Sequence, residues 1–114
     1  MFRDLEPGII RQRLIIEGHT NNFIGEAEIK DYLRKLGNVC KMRVLMNPVV
    51  HLSEKFGWSG WVHWETSGAH FYVWGKKKYF FSVDIYTCKK FNVKSAVDFT
   101  DGYFKCQDIV WKEV

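Results

Sequence analysis

The residues with chemistry to offer lie between Gly57 and Cys88. Ser67 stands between Thr66 and Gly68, at a junction between two extended segments. A glycine after a serine permits an unusual backbone angle. His70 and Tyr72 follow, two residues apart, and in a strand such a pair shares one face. Cys88 ends the next extended segment, with Asp84 four residues before it and on the same side by parity. A hydroxyl, an imidazole, a phenol and a thiol can therefore converge. Their chemistry is attack by the hydroxyl and proton transfer by the other three. Ser59, in Trp58-Ser59-Gly60, can shape such a site through a hydrogen bond, and Trp74 can stack on a substrate. A Ser-His-Asp hydrolase is not indicated, because the GxSxG elbow is missing.

Other candidates point elsewhere. Cys40, Cys88 and Cys106 are an odd set at wide spacings, with no CxxC pair. That pattern indicates neither a disulfide framework nor a zinc site, so each thiol reads as reduced and buried and no metal is expected. His19, His51 and His63 show no ligand spacing. Lys76, Lys77 and Lys78, with Lys89 and Lys90, read as a solvated hairpin tip and edge protection. No nucleic-acid motif accompanies them, and a nucleic-acid partner is not expected.

The elements that must hold these residues can be read from periodicity. Arg11 to Glu17 is a strand centred on Leu14, Ile15 and Ile16. Gly18 to Gly25 is turn-like. Glu26 to Leu36 has helical spacing, with Ile29, Leu33 and Leu36 on one face and Tyr32 beside them. Glu26 and Glu28 suit the positive end of the helix dipole, and Gly37 is a natural stop. Met42 to Met46 reads as a second strand ended by Asn47-Pro48, and residues 51 to 60 as a loop. Trp61 to Trp64 and Ala69 to Trp74 look extended, Gly75 to Lys78 turns, and Tyr79 to Thr87 is a long strand. Asn92 caps a helix from Val93 to Phe104 with Ala96, Val97 and Thr100 in one stripe, and Gln107 to Trp111 is a last strand. The order β-α-β-β-β-β-α-β implies an α+β two-layer sandwich: an antiparallel sheet with both helices on one face.

Length and composition agree with one domain over residues 1–114. A chain of 114 residues, 46% hydrophobic and 17% aromatic, has enough apolar surface to fold without metal or crosslinks. The net charge of +4 decides little about partners. No apolar run approaches the roughly 20 residues of a membrane span. Met1 to Ile10 carries Arg3, Asp4 and Glu6 and lacks the apolar core of a signal peptide, so the chain reads as cytoplasmic.

The stretch from 51 to 88 resembles the small prokaryotic S-adenosylmethionine decarboxylases, which are pyruvoyl enzymes. His51 falls on that family's loop histidine, and Gly57-Trp58-Ser59-Gly60 on its Gly-Val-Ser-Gly. Ser67 falls on the serine that becomes the pyruvoyl group, and Trp74 on the aromatic before a Pro-Glu pair. With one inserted residue, Val83-Asp84-Ile85-Tyr86-Thr87-Cys88 falls on the strand that ends in cysteine. The chain departs from the pattern at Thr66, where the family has Glu, and at Gly68, where it has His. Tyr72 stands where the family has the histidine that assists proton abstraction, with His70 two residues before it. Gly75-Lys76 replaces Pro-Glu, and Ser53 an expected aromatic.

The resemblance implies self-cleavage at Thr66–Ser67. The Ser67 hydroxyl would attack the Thr66 carbonyl, and loss of the Ser67 α-proton from the resulting ester would leave a C-terminal chain capped by pyruvoyl. That carbonyl would form a Schiff base with the substrate amine and act as an electron sink, with Cys88 as proton donor. The implied activity is decarboxylation of S-adenosylmethionine in spermidine synthesis by a homodimer, with no membrane partner. Two alternatives stay open: a pyruvoyl decarboxylase of arginine or ornithine, and a non-cleaving homologue that binds a small ligand or serves as a partner subunit.

Overall fold

The computed structural model describes residues 1–114. The elements run β1 (Gln12–Thr20), α1 (Glu26–Val39), β2 (Val49–Ser53), β3 (Gly57–Trp64), β4 (Ser67–Trp74), β5 (Tyr79–Thr87), α2 (Val93–Phe104) and β6 (Asp108–Glu113). The six strands form one sheet in the order β2-β3-β4-β5-β1-β6, and every pairing is antiparallel. The β-α-β-β-β-β-α-β order and the α+β architecture are those read from the sequence. No helix is long and apolar enough to cross a membrane.

Alternation along the strands assigns the two faces. Leu14 and Ile16 of β1, Ala69, Phe71 and Val73 of β4, and Phe81, Val83 and Ile85 of β5 are buried under the helices. From α1 they meet Ile29, Tyr32, Leu33 and Leu36, and from α2 Ala96, Val97 and Phe104. Tyr32 sits at the centre, its ring 4.7 Å from that of Phe104 and 5.4 Å from that of Phe71. Thr100 Oγ1 donates to the Ala96 carbonyl at 2.8 Å, so the Tyr32 phenol must be the donor in its 2.7 Å bond to Thr100 Oγ1. The opposite face of the sheet carries no helix.

Both helices start as their sequences require. Glu28 Oε1 accepts the Gly25 N–H at 2.9 Å, and Asn92 Oδ1 accepts the Ser95 N–H at 2.8 Å, satisfying donors that the first turn leaves free. Gly37 does not stop α1, which runs on to Val39. The glycine instead lets the helix approach Trp64: a Cβ on residue 37 would lie 2.7 Å from Trp64 Nε1. Gly37→Ala should therefore destabilise the protein by about 1–3 kcal/mol, because overpacking against a buried indole outweighs the roughly 1 kcal/mol gain in helix propensity. Urea unfolding checks the sign, and a stabilised variant would show that the indole yields freely.

The second strand is displaced from its expected place. Met42 to Met46 forms only an isolated bridge, Val44 to Trp64, and the edge strand is Val49–Ser53, whose last three residues fall in the expected loop. Met42 is buried below the sheet by packing rather than by strand pairing. Proline lacks an N–H and is tolerated at a strand's start, so Pro48 introduces β2 rather than closing a strand. The remainder of the expected loop holds a turn over residues 54–56 and the first half of β3, which opens on Gly57 with φ 91°.

Candidate active site on the open face of the sheet

On the uncovered face, strand register sets side chains in rows across the sheet. One row reads His63, Gly68, Tyr86. The next reads Trp61, His70, Asp84, Ile15, and the third Ser59, Tyr72, Ser82, Glu17. The first row, and the second as far as Asp84, open onto a hollow of about 530 Å³, also bordered by Thr66, Ser67, Cys88 and Arg13. Ser67 and His70 of β4 and Cys88 beyond β5 thus border one hollow. Ser59 and Tyr72 stand one row farther and do not line it, although the Tyr72 ring is 6.5 Å from that of His70. Trp74 lies at the other end of β4, about 20 Å along the strand from Gly68, and cannot touch a small molecule in the same hollow of the same chain.

The Thr66–Ser67 bond occupies the tip of the β3–β4 hairpin, since Trp64 pairs directly with Ser67. Thr66 has φ 68°, a left-handed angle that a β-branched residue adopts only under strain. The unusual backbone angle expected near Gly68 is therefore at Thr66. The Thr66 carbonyl accepts the Cys88 N–H at 3.0 Å, which polarises it and holds it in place. Ser67 is 6% exposed and its hydroxyl turns toward the helix side, donating to Met42 Sδ at 3.6 Å and lying 3.3 Å from Thr66 Oγ1. A thioether is a weak acceptor, so the hydroxyl is not tied up. Cys88 leaves the sheet on the opposite side. Ser67 thus reaches the hollow from the covered side, and Cys88 from the open side.

The only carboxylate lining the hollow is already paired. Arg13 Nε and Nη2 hold the two oxygens of Asp84 at 3.0 and 2.7 Å. This bidentate pair fixes Asp84 beside His70 and leaves no net charge there.

The cysteines divide by environment, which corrects the expectation that all three are buried. Cys40 is buried, Cys106 half-buried and Cys88 exposed. Loss of hydration pushes the Cys40 thiol up to about 12. Burial, then the nearby Asp101, pushes Cys106 up to about 12 as well. Both remain protonated at pH 8, and the thiolate is the nucleophile. Iodoacetamide at pH 8 should therefore label one thiol per native chain, at Cys88. Peptide mapping checks this, and labelling of Cys40 at a comparable rate would contradict the packing.

His63, Trp61, Arg13 and Tyr86 line the hollow without having been singled out from the sequence. The two-residue turn at Glu65-Thr66 was the available signal for His63: it places residue 63 opposite residue 68.

A family model described as S-adenosylmethionine decarboxylase matches residues 16–114. No curated protein sequence matches the chain. Among solved structures, the crystal structure of the adenosylmethionine decarboxylase from Aquifex aeolicus VF5 is similar, with a TM-score of 0.71 at 14% identity, over 93% of this chain and 89% of that one. At that identity the likeness speaks for the fold. The family match spans all but the N-terminal segment, β1 onward from Ile16, and through it the chain belongs to the S-adenosylmethionine decarboxylase family.

Proposed function

We propose that the protein is a pyruvoyl-dependent S-adenosylmethionine decarboxylase of the cytoplasm that cleaves itself between Thr66 and Ser67 and supplies the aminopropyl donor for spermidine. The observation that carries this reading is the state of the Thr66–Ser67 bond. It joins a strained residue, a carbonyl held by the Cys88 N–H, and a hydroxyl whose bonds, to the Met42 thioether and to Thr66 Oγ1, are both long.

Each feature serves the first stage. When the Ser67 oxygen adds to the Thr66 carbonyl carbon, charge develops on the oxygen that the Cys88 N–H already faces, as in an oxyanion hole. Collapse breaks the C–N bond, frees the Ser67 amine and relieves the left-handed angle at Thr66. Removal of the Ser67 α-proton then expels Thr66 as a carboxylate, and water releases ammonia to leave the carbonyl. The group so formed supplies an electron sink for the substrate's carboxylate loss. The Cys88 thiol, exposed at the hollow, holds the proton that replaces that carboxylate. His70, flanked by Trp61 and the neutralised Asp84, orients the substrate from the strand beside it.

Intact mass after prolonged incubation tests the reading: the purified chain should convert to two pieces, the larger with a carbonyl at its N-terminus. A second reading, a non-cleaving homologue that binds a small ligand, is favoured by one observation: no base touches the Ser67 hydroxyl. A single full-length mass decides for it. Borohydride trapping with S-adenosylmethionine, arginine and ornithine in turn separates the substrates.

The homodimer belongs to the same proposal. Tyr72, Trp74 and Phe80 form a stacked ladder on the open face, with ring spacings of 6.2 and 5.4 Å. Tyr72 and Trp74 are 43% and 42% exposed. A sheet face bearing such a ladder has strong reason to be covered, and a second copy supplies a matching one. Trp74→Glu should shift the chain from dimer to monomer in sedimentation, and an unchanged coefficient would place the contact elsewhere.

A further inference from the structure

The lysines that cluster in the sequence are separated by the fold. Lys89 and Lys90 follow β5 at the end of the sheet that holds the hollow, whereas Lys76, Lys77 and Lys78 lie in the β4–β5 turn at the opposite end. Strands β4 and β5 are the central pair of the sheet, and its edges are β2 and β6. The three lysines therefore protect no edge, which corrects that expectation. Gly75, at φ 115°, closes the turn so tightly that a Cβ there would collide with the Lys78 carbonyl. All three lysines stand exposed on this tip, and none takes part in an ion pair.

A second tip stands alongside. The β2–β3 turn over residues 54–56 ends at Gly57, where a Cβ would lie 2.9 Å from the Val73 carbonyl near the end of β4. This turn adds Lys55, so the two tips carry four unpaired lysines against one carboxylate, Glu54. It also adds apolar surface: Phe56 is 64% and Leu52 57% exposed, and Lys55 Nζ lies 5.3 Å from the Phe56 ring centre. On the other flank, Thr20 pairs with Tyr79, so the segment after β1 passes beside Lys78. That segment carries Phe23, 60% exposed, its ring 6.2 Å from that of Tyr79. Three strand spacings separate β3 from β1, so the segments bearing Phe56 and Phe23 stand about 14 Å apart, with the lysine tip between them.

Charge and apolarity together select the partner. Lysines alone suit any polyanion. A single-stranded nucleic acid also needs a platform on which bases stack, and a leucine and two phenylalanines on separate segments do not make one. A bilayer uses both features: lysines meet anionic headgroups, and phenylalanine and leucine enter the boundary between headgroups and acyl chains. Such docking needs no membrane-spanning segment.

We infer that the tips of the β2–β3 and β4–β5 hairpins, flanked by Phe23, dock the protein on an anionic lipid surface. This docking is independent of the decarboxylase reading, and it leaves the hollow, at the opposite end of the sheet, free.

The full-length protein is sedimented with vesicles of phosphatidylcholine, alone or with about one-third phosphatidylglycerol. It should bind the anionic vesicles only, and come off them at about 1 M salt, where screening acts within about 3 Å. Alanine at Lys76, Lys77 and Lys78 together should weaken binding roughly a hundredfold, since each lysine near an anionic surface contributes about fivefold. Phe56→Ser should weaken it about fivefold or more. Lys89→Ala combined with Lys90→Ala removes charge from the other end and should bind as the parent does. All these residues are exposed, so circular dichroism should show the variants folded. Failure to bind anionic vesicles overturns the docking, as does binding indifferent to Phe56. Equal weakening by the two lysine variants also overturns it, because net charge would then explain the binding. Capture of single-stranded RNA through Lys76, Lys77 and Lys78, without capture by vesicles, overturns it in favour of a nucleic acid.

Discussion

Ser67→Ala should leave the chain whole indefinitely while barely disturbing its fold. Scission needs an oxygen on residue 67 to attack the carbonyl before it, and alanine has none, so the loss should be complete rather than partial. Its structural cost should be small because the hydroxyl's contacts are weak: a 3.6 Å approach to Met42 Sδ and a 3.3 Å approach to Thr66 Oγ1. Replacing a weakly bonded buried hydroxyl by hydrogen costs within about 1 kcal/mol. Two measurements on one sample, intact mass and a thermal melt, check both halves. Cleavage of the alanine variant at the same bond would assign the scission to a contaminating protease. Loss of folding would give Ser67 a structural role that its contacts do not suggest.

The sequence disclosed those parts of the fold whose cause is local. Both helices were legible from one-sided apolar spacing, and α2 carries its start signal in Asn92. Strands β4 and β5 alternate cleanly because one face is buried and the other is bare. The edge strand β2 has no such contrast, its residues being half-buried or exposed, so its signal fell below that of the apolar run Met42 to Met46. Gly37 could not be read as a packing glycine without knowing that Trp64 lies against it.

The site divides along the same line. Parity within a strand was enough to put His70 with Tyr72, and Asp84 with Cys88, on one face. Register between strands was needed for the rest. Arg13 meets Asp84 across 71 residues of sequence, and nothing near Arg13 signals it. Gly68 stands where the resembled family has an imidazole, and only the hairpin pairing shows that His63 brings one alongside. The strain at Thr66 runs against residue preference, since a β-branched side chain disfavours the left-handed region. It is where local propensity and global fold disagree, and such conflicts gather at functional positions.

Trp64 links that strained turn to the core, and its replacement should have the largest effect on stability. It is the last residue of β3, one position before Glu65-Thr66, and it is fully buried. Its indole packs against Gly37 of α1, with Val44 at the same contact. Trp64→Ala removes that contact and should cost about 3–5 kcal/mol, a large share of the roughly 5–15 kcal/mol that holds a domain of this size together. Trp64→Phe should cost far less. The Trp64 Nε1–H is buried and finds no acceptor in the protein. Leaving such a donor unpaired costs about 1–3 kcal/mol. Phenylalanine deletes the donor along with part of the ring, so loss and relief partly cancel, and the net change should fall within about 1.5 kcal/mol. Chemical denaturation of the two variants gives the comparison directly. Equal destabilisation by alanine and phenylalanine would mean that the indole N–H is satisfied after all and that Trp64 contributes more than packing.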